Sequence, residues 1–359
     1  MNEELLIIFG AGASHDCADQ KKSSVREEYK PPLTNQIFSR QYSPASSLVQ
    51  SIRVNGFKDS ILNKHFLASS IGHEFDDSGS LENYLAKLKS SIHESDMRKY
   101  FALCVYLQEL FTEISKNYLN APLDNNFHSL LHKLVRTDYT RFNFITTNYD
   151  TIFDVTLEKL FNIRFNSLSS YLNFSGDGKV FNYIKAHGSV NWCFLLNQHY
   201  DQLGNWTQIR NGEITPNSNL MRSVENADTV NVGFQNLAGV TKFPAMAVPL
   251  GTYKFVNQNQ IESFKNQSLN LKHLLIIGYS GKDNTIFDLL KVIIKNRINI
   301  FIVDRDLESV NNLTKALKSN LNSAERQITG TINHSLRGFT GFINNDCDNW
   351  IKSIINTSN

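Results

Sequence analysis

The hydrophobic pattern begins almost at once. Leu5–Phe9 (LLIIF) is an unbroken apolar run flanked by charge, which predicts a strand buried on both faces of a parallel sheet. Leu81, Tyr84, Leu85 and Leu88 then recur at i, i+3, i+4 and i+7, and Phe101–Tyr118 carries a denser apolar stripe. Leu81–Leu119 therefore predicts two helices with a break near Ser90–Asp96, and a shorter helix is expected at Asn126–Val135. Thr34 is a candidate N-cap for a helix beginning at Asn35–Arg40. Strand signals follow at Phe142–Ile145, Val180–Ala186, His273–Ile277 and Ile298–Val303, with an extended segment at Val190–Leu196 and a strand at Pro244–Leu250. Helix signals stand at Thr151–Phe161, Asn257–Leu269, Asn284–Lys295, Leu307–Leu317 and Phe339–Ile355. Such alternation predicts an α/β, Rossmann-like fold: a mostly parallel sheet with helices on both faces. The expected organisation is a single domain over 1–359, with a helical insertion subdomain at 43–135 and a small polar insertion at 197–243, read as irregular or β-rich.

Composition narrows the possibilities further. The 359 residues are 41% hydrophobic and 19% charged, with 36 basic against 34 acidic residues, an ordinary globular balance that gives no sign of direct nucleic-acid binding. No apolar run approaches the roughly 20 residues of a membrane span, and the N-terminus lacks a signal-peptide pattern. Cys17, Cys104, Cys193 and Cys347 lie too far apart for a zinc site or a disulfide framework, so no metal and a cytoplasmic location are expected.

The chemistry gathers at strand ends. Gly10-Ala11-Gly12-Ala-Ser14 follows the first strand without a spacer, leaving backbone N–H groups open to close approach by a diphosphate. Three other strands end in Thr146-Thr147-Asn148-Tyr-Asp150, His187-Gly-Ser189 and Gly278-Tyr-Ser280. In an open parallel sheet all four ends face one crevice, where ligands bind. Each has a plainer reading as well: a tight turn for the glycines, a helix cap for Asn148 and Asp150, a satisfied core histidine for His187. Asp304, at the end of Ile300–Val303, stands where an acid can hold ribose hydroxyls, although a turn or cap is the preferred reading there. His15 and Asp16 can belong either to a site or to a solvated turn. The helical insertion reads as a lid or packing module, or as an oligomerisation surface.

In this order and placement the four motifs resemble those of the sirtuins, over Leu5 to about Asp306. The resemblance implies NAD as substrate. Gly10, Ala11, Gly12 and Ser14 would wrap its diphosphate. Asn148 and Asp150, beside Thr147, would hold the nicotinamide ribose and a water. His187 would be the catalytic base, and Gly278 and Ser280 would contact the adenosine half, with Asp304 near it. Two departures stand out. The two C-x-x-C zinc pairs of the deacylases are absent, and Pro31-Pro32-Leu33-Thr34 replaces a Gly-Ile-Pro-Asp-Phe-Arg stretch. The branch resembled most is the zinc-free, defence-associated sirtuin-like NADase of bacteria. It implies hydrolysis of NAD to ADP-ribose and nicotinamide as an anti-phage response, in a homo-oligomer or beside a HerA-type ATPase. Zinc-free protein deacylation, NAD or ADP-ribose sensing without turnover, and a structural role in a larger assembly are the alternatives.

Overall fold

The computed structural model describes residues 4–18, 29–33, 36–37, 81–119, 123–166, 168–196, 221–226, 241–246, 262, 264, 271–282, 284–322 and 328–356. The first strand, β1 (Glu4–Phe9), is fully buried. It lies parallel between β2 (Arg141–Thr146) and β8 (Leu271–Ile277). Beyond β2 come β4 (Lys179–Lys185) and, antiparallel at the edge, β3 (Phe174–Gly176). Beyond β8 come β9 (Ile298–Val303) and β10 (Thr329–Ser335), both parallel. The sheet order is β10-β9-β8-β1-β2-β4-β3. Numbered by themselves, the six parallel strands run 3-2-1-4-5-6, the doubly wound order of a Rossmann-like fold. The switch point, where the winding reverses, falls between β1 and β8.

The pleat sorts the core into two layers. Leu5, Ile7 and Phe9 point into an aromatic layer with Phe142, Phe144, Phe181 and Tyr183, whereas Leu6 and Ile8 point into an aliphatic layer with Ile145, Leu274 and Ile276. On the aromatic side pack α3 (Glu94–Leu119), α4 (Asn126–Leu134), α5 (Ile152–Phe161) and α9 (Cys347–Asn356). On the aliphatic side lie α6 (Asn284–Ile293) and α7 (Leu307–Leu321). Phe9 sits at the centre of the aromatic layer, 4.8 Å from Phe153 and 5.0 Å from Phe127 between ring centroids.

The predicted helical break falls at residues 91–93, between α2 (Leu81–Ser90) and α3. Most of α3 is buried: Tyr100–Cys104, Tyr106, Leu107, Leu110, Phe111, Ile114 and Tyr118 belong to the main core. Its length is thus a product of packing on several sides within the chain.

Three elements differ from expectation. The edge strand β3 is unassigned in the sequence reading, although Asp177-Gly178 (φ 50° and 72°) is the turn chemistry of a two-residue hairpin. Strand β10 also lies in a stretch with no assignment, because TGTINHS is polar and half of it faces outward at the sheet edge. The strand expected at Pro244–Leu250 is described as far as Met246, within β7 (Thr241–Met246), the rest lying outside the described residues; β7 joins a separate three-stranded antiparallel sheet, β6-β5-β7, with β5 (Gly188–Leu196) and β6 (Met221–Asn226). Pro244 lacks an N–H to donate and suits an outer strand of that kind. The 197–243 insertion therefore contributes a strand of its own. The expected helix at Asn257–Leu269 is described only at residues 262 and 264, both helical. The reading of residues 34–40 falls mostly outside the described residues, as does residues 43–80 of the helical insertion. At the C-terminus the expected helix is continuous in path but contains a π-turn at Phe342–Asp346 between α8 (Gly338–Gly341) and α9.

Candidate active site

At the carboxyl end of β1 the glycine motif is a knuckle between two strands. Gly10 donates to the Ile277 carbonyl at 3.0 Å and Gly12 to the Gly278 carbonyl at 2.9 Å. A methyl group on Gly12 would lie 2.8 Å from the Gly278 Cα, and one on Gly10 would run into the Gly278 carbonyl. Close approach of backbones explains both glycines. The N–H groups of Gly10 and Gly12 are thus committed to the neighbouring strand, and the following helix α1 (Ala11–His15) has only five residues.

One turn away, the motif meets the end of β2. Thr147 N–H donates to the Phe9 carbonyl at 3.1 Å, and the Thr146 hydroxyl accepts from Asn148 N–H at 3.0 Å. The Asn148 side-chain amide donates to Ser14 Oγ at 2.8 Å. Ser14 also lowers the Asp150 carboxyl pKa from its neighbouring position, and that carboxylate accepts Ile152 N–H at 3.1 Å at the start of α5. Ser14, Asn148 and Asp150 are all buried and neighbour one another, the first two joined by a hydrogen bond. Asn148 Oδ1 is buried as well and has no hydrogen-bond partner among the described residues. Burial pushes the Asp150 carboxyl above its ordinary pKa, against the opposing pull of the Lys185 ammonium, the Ile152 N–H and Ser14.

This set borders a small, open cleft. Ser14, Thr147, Asn148 and Asp150 make its lining polar, while Pro31, Pro32, Ile37 and Phe111 supply an apolar side, with Ala11 and Tyr149 between. His15 pins the proline pair by donating from Nδ1 to the Pro31 carbonyl at 2.7 Å, and burial holds its pKa below the usual value. The α3 helix forms part of the enclosure. Phe111 lines the cleft, Ser115 Oγ accepts Thr151 N–H at 3.1 Å, and Gln108 donates to the Val190 carbonyl at 3.1 Å.

The remaining expected residues fall in different places. His187 ends β4, adjacent to the second motif, with its ring centroid 6.0 Å from that of Tyr149. It is 3% exposed and does not figure among the described residues lining the cleft. Gly278 belongs to the knuckle, whereas Ser280 is exposed beyond it. Asp304 caps its own turn, Oδ1 accepting from Arg305 N–H at 2.7 Å and Asp306 N–H at 3.0 Å. Asp16 is a cross-link: its carboxylate accepts from Arg305 at 2.6 Å and from the Thr340 hydroxyl at 3.0 Å.

Sequence reasoning missed the charged pair beneath the turn. Lys185 Nζ lies 2.9 Å from Asp154 Oδ2, both side chains fully buried, and 2.7 Å from the Asp150 carbonyl oxygen. The signal was available in the pleat, since Lys185 follows Phe181 and Tyr183 on the core-facing side of β4. Cys17, Cys104 and Cys347 are buried free thiols, and no group of three or more His, Cys, Asp or Glu side chains suited to a metal occurs among the described residues. No helix among them is long and apolar enough to cross a membrane. In comparisons with known proteins, no family model matches the chain, and no curated protein matches it.

Proposed function

We propose that the protein is an NAD hydrolase that cleaves the nicotinamide–ribose bond with water, acting as a defence-associated effector. The observation that carries this reading is the buried Ser14–Asn148–Asp150 set at the edge of the cleft, with the polar atom Asn148 Oδ1 left over for a ligand. A buried amide oxygen without a donor is costly unless a ligand or water supplies one. A ribose hydroxyl has the right chemistry.

As the C–N bond breaks, its electron pair leaves with the neutral pyridine ring of nicotinamide, and positive charge develops on the ribose. Water adds to the anomeric carbon and gives up a proton. Asn148 would orient that water or the ribose. Asp150, its pKa lifted by burial, would lie closer to the range in which a carboxylate accepts a proton efficiently near neutral pH. His187, the neighbouring strand end, would take a proton from a ribose hydroxyl once Tyr149 is displaced from its side. General-base assistance of this kind is worth roughly 10²–10⁴-fold. Assembly into a homo-oligomer, or with a HerA-type ATPase or another defence protein, would gate an activity that is otherwise toxic to its own cell. Cytoplasmic NAD would be the pool consumed.

Purified protein incubated with NAD should release ADP-ribose and nicotinamide in equal amounts by mass spectrometry. Asn148→Ala and His187→Ala should each abolish that release while thermal unfolding remains cooperative. Normal turnover by either variant would refute the assignment of that residue.

A second reading, sensing of NAD or ADP-ribose without turnover, is favoured by two features: the committed N–H groups of Gly10 and Gly12, and the absence of His187 from the described cleft lining. Saturable NAD binding by calorimetry with no nicotinamide released would select it.

A further inference from the structure

Lys185 occupies a slot that the pleat of β4 assigns to the core. Phe181 and Tyr183, four and two residues earlier on the same face, are both in the aromatic layer. An alkyl group would fill such a slot at no electrostatic cost. Instead an ammonium lies there with no solvent exposure, 2.9 Å from an equally sealed Asp154. Asp154 is itself held by two phenols, Tyr171 donating to Oδ1 at 2.9 Å and Tyr183 to Oδ2 at 3.0 Å. Trp192 Nε1 extends the network by donating to the Tyr171 hydroxyl at 3.4 Å.

A buried ion pair is a weak source of stability, because the cost of removing two charges from water offsets most of their attraction. What it supplies is direction. A further N–H of Lys185 reaches the Asp150 carbonyl oxygen at 2.7 Å, so the pair ends on the turn that carries the candidate site. The turn is held elsewhere by neutral contacts: Val190 N–H to the Tyr149 carbonyl at 3.0 Å and Thr151 N–H to Ser115 Oγ.

We propose that Lys185 is the positioning residue of the cleft: anchored by Asp154, its ammonium fixes the Asp150 carbonyl and so the 147–150 turn that presents Asn148 and Asp150 to a ligand. The proposal rests on the reading of this cleft as the NAD site. It adds that the orientation of that site is built from beneath, through a strand and a helix that do not line the cleft.

The test replaces both charges together, Lys185→Met with Asp154→Asn, since removing one alone would strand the other in the core. Thermal unfolding should stay cooperative. In a crystal structure of the double variant the Asn148 amide should leave Ser14 Oγ. The kcat for NAD should fall about 100-fold, the penalty for roughly 1 Å of misplacement, with KM changed much less. A double variant that folds, keeps the Asn148–Ser14 contact and keeps the wild-type kcat would overturn the proposal. Should that variant not fold, Lys185→Arg keeps the charge opposite Asp154 while changing the donor that reaches the Asp150 carbonyl, and the same two measurements apply, with a smaller loss expected. If the wild-type protein neither binds nor cleaves NAD, the NAD reading fails by itself. The position of the turn in the variant crystal structure still decides the role of Lys185.

Discussion

Gly278 shows how much a single position can be asked to do. Its φ is +60°, and a Cβ added there would meet the Gly12 and Ala13 backbone. Gly178, at the β3–β4 hairpin, has a similar φ of +72° with nothing within 4 Å of an added Cβ. The two glycines separate conformational cost from steric cost. Gly178→Ala should cost about 1 kcal/mol, the lower end for a non-glycine residue at positive φ. Gly278→Ala should cost about 3 kcal/mol or more, because the strand ends must also part. Urea unfolding of the two variants measures the difference directly, and equal midpoints would show that the knuckle tolerates widening. The same contrast bears on legibility. The sequence identified Gly10, Gly12 and Gly278 as special and left the first two open between a ligand and a tight turn; their N–H groups bond to the Ile277 and Gly278 carbonyls.

At the scale of elements, α3 is the helix that joins the fold to the site. Its apolar periodicity was readable, but its polar positions were not interpretable without a partner. Gln108, Thr112 and Ser115 are buried, and two of them bond to backbone next to the cleft. Ser115→Ala should leave Thr151 N–H unpaired in a buried position, costing about 1–3 kcal/mol. It should also loosen the start of α5, where Asp150 accepts Ile152 N–H. Hydrogen exchange at Thr151 and Ile152 should rise above that of the rest of α5; unchanged exchange would mean that another acceptor replaces the hydroxyl. The sequence left the helical insertion undecided between a lid or packing module and an oligomer surface. The described part of α3 packs in the core and walls the cleft. Strand β3 failed to be recognised for a different reason. The Asp-Gly turn signal was present, but a three-residue edge strand carries too little alternation to stand out.

The whole molecule places its ionisable groups at both ends of the sheet. Opposite the cleft, Glu4 pairs in register with Arg141 across the amino ends of β1 and β2. Burial raises its carboxyl from an ordinary 4.5 to about 7, the Arg141 charge at 3.7 Å offsetting only part of that rise. The folded state therefore holds this proton more tightly than the unfolded chain. The resulting contribution to stability is fully present below about pH 4.5 and is lost as pH rises through about 7. Asp150, also raised by burial, acts in the same direction at the other end. Chemical denaturation between pH 5 and 8 should show stability falling with pH, and Glu4→Gln should flatten that slope. An identical slope in the variant would assign the effect elsewhere.

The sequence by itself determined the layers: runs of apolar residues with the periods of strands and helices can be satisfied only by a sheet covered on both faces, and the order of those runs sets which loops share its carboxyl edge. It also identified Ser14, Asn148 and Asp150, because small and polar residues at strand ends are visible one position at a time. The tertiary structure decided what each of them touches. Whether a glycine N–H faces a ligand or a neighbouring carbonyl, and whether a lysine ends in water or beneath a turn, depends on segments 30 to 270 positions away along the chain. Local patterns carry no information about such partners, since the free energy of a buried polar group is fixed by what closes over it.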